Sequence, residues 1–313
     1  MQQRLDWARD GADWPHRGRS RFVDAGGLRW HVQHFESTRA GAPRALLIHG
    51  TGASTHSWRD FAPLLQSHFE LLAMDLPGHA FTSLPAGGTF SSQLSLPGMA
   101  RALAALLEAE DFAPDLVIGH SAGAAIGARL AIERAARAPA PSAAPGVPRL
   151  LVSLNGALLP LGGLAGRIFS PAARLMAVMP GVPRLFAWRA GDAQVLQRLL
   201  DSTGSTLDAT GQALYQRLAG NAGHVEGALG MMAHWDLPAF AQDDLPRLAT
   251  PLLLVVGDRD ATVPPGDADR VVARLAGQVP VKRVSLEGLG HLAHEERPHA
   301  VLAPVLAAWR DLG

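Results

Sequence analysis

The chain has 313 residues, with 28 basic and 28 acidic side chains, no cysteine, 48% hydrophobic residues and 18% charged ones. That composition describes a folded globular chain with ample material for a core, and the absent thiols exclude disulfide frameworks and thiolate-held zinc or iron–sulfur centres. Balanced charge argues against nucleic acid as a partner, and the single lysine, Lys282, with no Gly-Lys-Ser/Thr, excludes a P-loop NTPase.

The N-terminal stretch to Arg21 mixes Arg4, Asp6, Arg9, Asp10, Asp13, Arg17 and Arg19 without an apolar run, and reads as a mature cytoplasmic start. Arg21 to Gln33 alternates around Gly26-Gly27, which predicts a two-stranded hairpin. Short apolar runs follow at Ala45 to Ile48, Leu71 to Met74, Leu116 to Ile118, Leu151 to Leu154, Leu252 to Val256 and Val281 to Val284. Separated by helical segments, they predict strands of a mostly parallel sheet, buried on both faces. Pro97 to Ala109 and the alanine-rich Ala122 to Arg137 predict helices, while the proline-rich Ala138 to Pro148 predicts a loop. No uncharged stretch is long enough to span a membrane. Too long for a crossover, the interval from about Pro160 to Ala249 predicts an inserted helical lid with helices near Asp192 to Leu200 and Thr210 to Leu218. The expected division is therefore an α/β core in residues 1–159 and 250–313 and a lid in residues 160–249.

Gly119-His120-Ser121-Ala122-Gly123 stands between an apolar run and a helix, the strand–turn–helix setting in which Gly-x-Ser-x-Gly presents a nucleophilic serine. A serine hydroxyl needs a base and the base an orienting acid, in the chain order Ser, Asp, His. Gly257-Asp258-Arg259-Asp260 and Gly288-Leu289-Gly290-His291 both follow strands, so His291 is assigned as base and Asp260 as acid, with Asp258 as the competing acid. Backbone amides of Thr51, in His49-Gly50-Thr51-Gly52, and of Ala122 are the expected oxyanion donors.

These motifs, with Asp75-Leu76-Pro77-Gly78-His79, resemble those of the α/β-hydrolase superfamily, which implies an α/β fold with a twisted, mostly parallel sheet and a Ser121–His291–Asp260 triad. In that family Gly-x-x-Asp ends with the triad acid, favouring Asp260, and a serine nucleophile disfavours dehalogenase or epoxide-hydrolase chemistry. Ala80 departs from the family pattern, which has a glycine there. A narrower resemblance, to the BchO-type magnesium-chelatase accessory proteins of bacteriochlorophyll biosynthesis, rests on four segments. They are the N-terminal Trp7 and Trp14 segment, Gly50 to Asp60, Ser95 to Ala100, and Leu200-Asp201-Ser202-Thr203-Gly204-Ser205. It implies a role in porphyrin metabolism and contact with a magnesium chelatase.

Between Leu161 and Leu200 the charges are Arg167, Arg174, Arg184, Arg189, Arg198 and Asp192 on an apolar background. Arg167, Arg174, Arg184 and Trp188 are thus candidates to hold an apolar ester or a carboxylate-bearing tetrapyrrole, or to meet an anionic membrane surface, which would make the protein peripheral. His291-x-x-His294-Glu295 lacks metal-ligand spacing, and no metal or cofactor is expected. His56 and His79 are considered as axial ligands to a porphyrin magnesium, against ordinary hydrogen-bonded loop histidines. The expected activity is hydrolysis of an ester or related carbonyl through an acyl-enzyme, against the alternatives of a non-catalytic porphyrin carrier or a broad carboxylesterase.

Overall fold

The computed structural model describes residues 4–137, 146–162, 179 and 181–312. The chain opens with a helical turn α1 (Trp7–Asp10) and the hairpin β1 (Ser20–Ala25) and β2 (Leu28–Phe35), joined where Gly26 and Gly27 both take positive φ. Such a pair of residues makes the turn whose twist matches a two-stranded ribbon. There follow β3 (Arg44–Ile48), α2 (Ala62–Gln66), β4 (Glu70–Met74), α3 (Leu96–Ala109), β5 (Leu116–His120), α4 (Ala122–Arg137) and β6 (Leu150–Leu154). Ser95 caps α3 by accepting the Gly98 N–H, and Pro97 occupies its first turn, where no amide is needed. Helices α5 (Val182–Ala190), α6 (Ala193–Asp201), α7 (Ala209–Ala219) and α8 (Ala222–His234) then precede β7 (Leu252–Gly257), α9 (Gly266–Leu275), β8 (Val281–Leu286), α10 (Ala293–Glu296) and α11 (Pro298–Arg310).

One eight-stranded sheet has the order β1-β2-β4-β3-β5-β6-β7-β8. Its first two pairings are antiparallel and the rest parallel, so β3, β5, β6, β7 and β8 all end at the same edge. Alternate residues of the central strands feed two cores. Leu46, Ile48, Val117 and Leu151 pack under α3 and α4, while Leu47, Ile118, Val152 and Val255 pack under α2 and α11. This two-sided burial is why these strands read as unbroken apolar runs. The outer strand β8 departs from that expectation, because Lys282 and Arg283 are exposed. It has a neighbour on one side only, and its charges suit an edge that must not pair with another chain.

Between β6 and β7 the described residues are largely helical, and they meet the body through the main core, by Met231, Trp235, Leu237 and Phe240, and through two small apolar clusters. Leu196, Leu200 and Tyr215 pack with Ala53 and Leu292, while Leu214 and Leu218 pack with Trp14 and Phe81. The N-terminal arm closes the second cluster from outside. Arg4 donates to the carbonyls of Gly78, Thr82 and Gly223, and Arg217 of α7 forks onto Asp13 at 2.7 and 2.8 Å. Sequence periodicity missed α8, whose Gly223, Gly227 and Gly230 are poor helix formers. Close contact explains them: a Cβ on Gly227 would lie 2.1 Å from the Gly78 carbonyl oxygen. No helix among the described residues is long and apolar enough to cross a membrane.

Candidate active site

Ser121 sits between the end of β5 and the start of α4 with φ +50, in the left-handed region that a non-glycine residue enters at a cost of about 1–2 kcal/mol. Three backbone bonds hold it there: its N–H donates to Leu154 at 3.0 Å, and its carbonyl accepts from Ala124 and Ala157. Glycine is obligatory on both sides. A Cβ on Gly123 would fall 2.1 Å from the Ile48 carbonyl oxygen, and one on Gly119 would fall 2.4 Å from the Ala124 nitrogen. The turn is therefore wedged against the end of β3, and Ser121 remains partly exposed.

The turn after β7 delivers Asp260 and the turn after β8 delivers His291. Asp260 Oδ2 lies 2.8 Å from His291 Nδ1, and both side chains are buried. The carboxylate is fully engaged: Oδ1 accepts the N–H groups of Thr262 and Val263, and Oδ2 also accepts Asn155 Nδ2 at 2.8 Å. With Nδ1 donating to the carboxylate, the neutral His291 ring carries its lone pair on Nε2, the tautomer a general base requires. Asp258 is placed elsewhere, its Oδ1 accepting the Gly288 N–H from an exposed position. The His291 carbonyl accepts His120 Nε2 at 2.9 Å, which joins the base loop to the serine turn.

The His49–Gly52 turn lies against Ser121, since a Cβ on Gly50 would come within 3.0 Å of the Ser121 Cβ. Its own bonds fix it: His49 Nδ1 donates to the Gly50 carbonyl while Nε2 accepts the Leu76 N–H. On the other side His224 of α8 donates Nε2 to the Gly52 carbonyl and accepts the Ala80 N–H on Nδ1. Ala80, where the family pattern has glycine, takes φ +39, so the turn is kept in the glycine conformation. Asp75 braces the same region by accepting the Thr55 and Phe81 N–H groups and pairing with His31 at 2.7 Å. Burial opposes its charge, but His31 and these donors outweigh it and hold the carboxyl at about 2. The N–H groups of Thr51 and Ala122 have no protein acceptor among the described residues.

Three contributors were invisible as site residues in the sequence. Asn155, directly after β6 with φ +48, donates to Asp260. Its signal is a polar residue at the same strand edge as the serine turn. Thr203, in the quoted Leu200–Ser205 segment, turns its carbonyl toward the N–H groups of both His291 and Ala261, while Ser205 Oγ accepts the Leu292 N–H. The third is a buried group under the base loop. Ser57 Oγ donates to Glu295 Oε1 at 2.6 Å and accepts from His294 Nε2 at 2.8 Å, and Tyr215 of α7 donates to the same Glu295 oxygen. Burial pushes the Glu295 carboxyl up to about 7, against the hydrogen bonds that lower it. Burial likewise presses His294 down to about 3 and His224 to about 4.

His294 is thus committed to Ser57 while His291 is committed to Asp260. His56 and His79 are fully enclosed, bonded through Nδ1 to Ser54 and to the Pro77 carbonyl, so neither ring faces a ligand at the surface. Of the candidates in the insertion, Arg167 and Arg174 lie outside the described residues. Arg184 and Trp188 are exposed on α5, whose inward positions are Pro183, Ala187 and Ala190.

Comparison with known proteins agrees with the architecture. A model of the alpha/beta hydrolase family matches residues 45–304. The chain is 36% identical to the magnesium-chelatase 30 kDa subunit of Rhodobacter capsulatus over 91% of its own length and 92% of that protein. It is 28% identical to a pimeloyl-acyl-carrier-protein methyl ester esterase of Aeromonas hydrophila over 71% of this chain and 79% of the relative. Among solved structures, the enol-lactonase from Burkholderia xenovorans superposes with a TM-score of 0.65 at 18% identity, covering 92% of this chain and 98% of the other.

Proposed function

Starting from the fact that the chain belongs to the α/β-hydrolase family, we propose that it is a serine hydrolase that cleaves an ester or related carbonyl compound through an acyl-enzyme. The observation that carries this reading is the His291–Asp260 hydrogen bond, at the same sheet edge as a serine held at positive φ. In this mechanism Ser121 Oγ attacks the carbonyl carbon as His291 Nε2 takes its proton. Asp260 stabilises the imidazolium, and the Thr51 and Ala122 N–H groups bind the oxyanion. Collapse breaks the bond to the leaving alkoxide, which departs with the proton from His291. Water, deprotonated by His291, then attacks the acyl carbon, and its proton returns to Ser121 as the acid is released.

A fluorophosphonate probe tests the chemistry. Covalent labelling of Ser121, abolished in a folded Ser121→Ala variant, is the expected result, and an unlabelled folded wild type overturns the reading.

The resemblance to a protein named as a magnesium-chelatase subunit supports a more specific setting. We infer that the substrate or its product belongs to porphyrin metallation and that the protein meets a magnesium chelatase transiently. Restoration of pigment synthesis in a strain lacking the protein tests this: rescue by wild type and not by Ser121→Ala is expected. Equal rescue by the variant would favour porphyrin carriage instead. Ester hydrolysis without rescue would leave a broad carboxylesterase.

A further inference from the structure

Helix α5 packs in an inverted sense. Its inward positions are the small residues Pro183, Ala187 and Ala190, while Leu185, Phe186 and Trp188 are 59%, 56% and 71% exposed. An ordinary surface helix buries its large apolar side chains and shows its small or polar ones. The exposure is also concentrated. Among the described residues six large apolar side chains stand in solvent, and five of them, Met179, Leu185, Phe186, Trp188 and Leu199, lie within one short stretch. Scattered apolar residues are normal on a surface, but a contiguous set marks a contact with something else.

The charges around this set have one sign on the helix itself. α5 carries Arg184 and Arg189 and no acid, while the next helix bears the exposed Arg198 together with the exposed acids Asp192 at its cap and Asp201 at its end, which leaves an excess of one positive charge over the described stretch. Arg184 lies within electrostatic reach of Glu226 on α8. Arg189 and Arg198 are exposed and donate no side-chain hydrogen bond among the described residues. At 100° per residue, Trp188, Leu185, Arg189 and Phe186 follow one another around the outward arc, so a guanidinium stands inside the apolar strip. Long cationic side chains lay their stems along apolar surface and carry their heads to the polar layer above it, and tryptophan prefers the same boundary.

We propose that this outward face of α5 docks on the surface of a lipid bilayer bearing anionic headgroups, with Leu185, Phe186 and Trp188 entering the acyl boundary and Arg189 and Arg198 meeting lipid phosphates. The helix is short and its outward arc is exposed throughout, which suits a fluid surface that moulds to it. Docking there also bears on the active-site turn. α5 packs against α8, and α8 holds the Gly52 carbonyl through His224 and receives the Thr51 hydroxyl at the Met231 sulfur. A membrane-bound α5 therefore stands one helix away from the turn beside Ser121, and an apolar substrate dissolved in the bilayer would have a short route to it. The docking itself does not depend on the reaction at Ser121.

The test is flotation of the full chain with vesicles of phosphatidylcholine alone or mixed with phosphatidylglycerol. Wild type is expected to float with the mixed vesicles and to be released by salt. Phe186→Ser with Trp188→Ser, which removes only exposed groups, should lower partitioning at least about tenfold, and Arg189→Ser about fivefold. Ser121→Ala should float like wild type, which separates this result from that of the labelling experiment. Wild type that stays unbound with both vesicle types, or variants that float equally well, overturns the proposal. So does a wild-type dimer that the double substitution dissociates, since a second copy would then be the occupant.

Discussion

The carbonyl of Thr203 accepts the backbone N–H of His291 at 3.1 Å and also that of Ala261 at 3.3 Å. One peptide unit between β6 and β7 thus stands between the turn that presents Asp260 and the loop that presents His291. Gly204 makes this possible, with φ +77 and the position of its absent Cβ only 2.0 Å from the Arg259 carbonyl oxygen. Gly204→Ala is expected to cost at least about 1–3 kcal/mol in stability and to slow labelling of Ser121 by more than the loss of folded protein explains. Thermal unfolding and labelling rates measured on one preparation check both.

Asn155 offers a cleaner separation, because glycine takes its positive φ without strain. Asn155→Gly should keep the turn and lose the hydrogen bond to Asp260, lowering the rate of ester cleavage about tenfold. Asn155→Asp would place a second carboxylate against Asp260, and like charges that close resist joint ionisation. Its activity should be lowest at high pH and recover partly as the pH falls far enough to protonate one of the pair. A pH–rate profile of the two variants distinguishes the lost bond from the added charge.

Six buried histidines, His49, His56, His79, His120, His224 and His294, are held below their ordinary value chiefly by burial. The folded state keeps them neutral, whereas the unfolded chain protonates them near 6.5. Their stability contribution is therefore present above about pH 6.5 and lost as the pH falls below it toward 4 and lower. Several protons should be taken up on unfolding at about pH 5. Calorimetry in buffers of different ionisation enthalpy counts them, and unchanged stability from pH 7 to 5 would contradict the expectation.

Glu295 has the opposite sign. Its carboxyl titrates near 7 in the folded protein against an ordinary 4.5, so the stability it confers is full at low pH and is lost as the pH rises through 7. Glu295→Gln keeps an oxygen for Ser57 and Tyr215 and removes the buried charge. The variant should be more stable than wild type at pH 8, by up to on the order of 3 kcal/mol, and nearly equal to it at pH 4. Denaturant titrations at the two pH values check this.

The strands and the serine turn were legible because their constraints are local. An apolar run buried on both faces needs no partner information, and Gly119 and Gly123 are demanded by a turn only a few residues long. The Asp260–His291 hydrogen bond joins two residues that each follow a strand, and the strands are what made the pair readable as candidates. The edge position of β8 was not, since the strand order is set by crossovers and not by composition. Nor was α8, whose glycines are explained by Gly78 and Arg4, far away in the chain. Asn155, Thr203 and Glu295 share that difficulty. Each acts through a bond to a residue about 60 or more positions away in sequence, and such a bond leaves no periodicity.

The N-terminal arm has its own consequence, for the order of assembly during synthesis. Arg4 and Asp13 find their partners Gly223 and Arg217 at sequence separations of 219 and 204 residues. The arm can already grip Gly78 and Thr82 through Arg4, but its bonds to Gly223 and Arg217 must wait until α7 and α8 have emerged. At roughly 5–20 residues per second, that is a wait of tens of seconds at the slower rates. Trp7 and Trp14 meet Phe22, His31, His56 and Phe81 early, but the cluster they share stays open on the side of Leu214 and Leu218 for all of that time, so the nascent chain carries an uncovered aromatic face until the insertion docks.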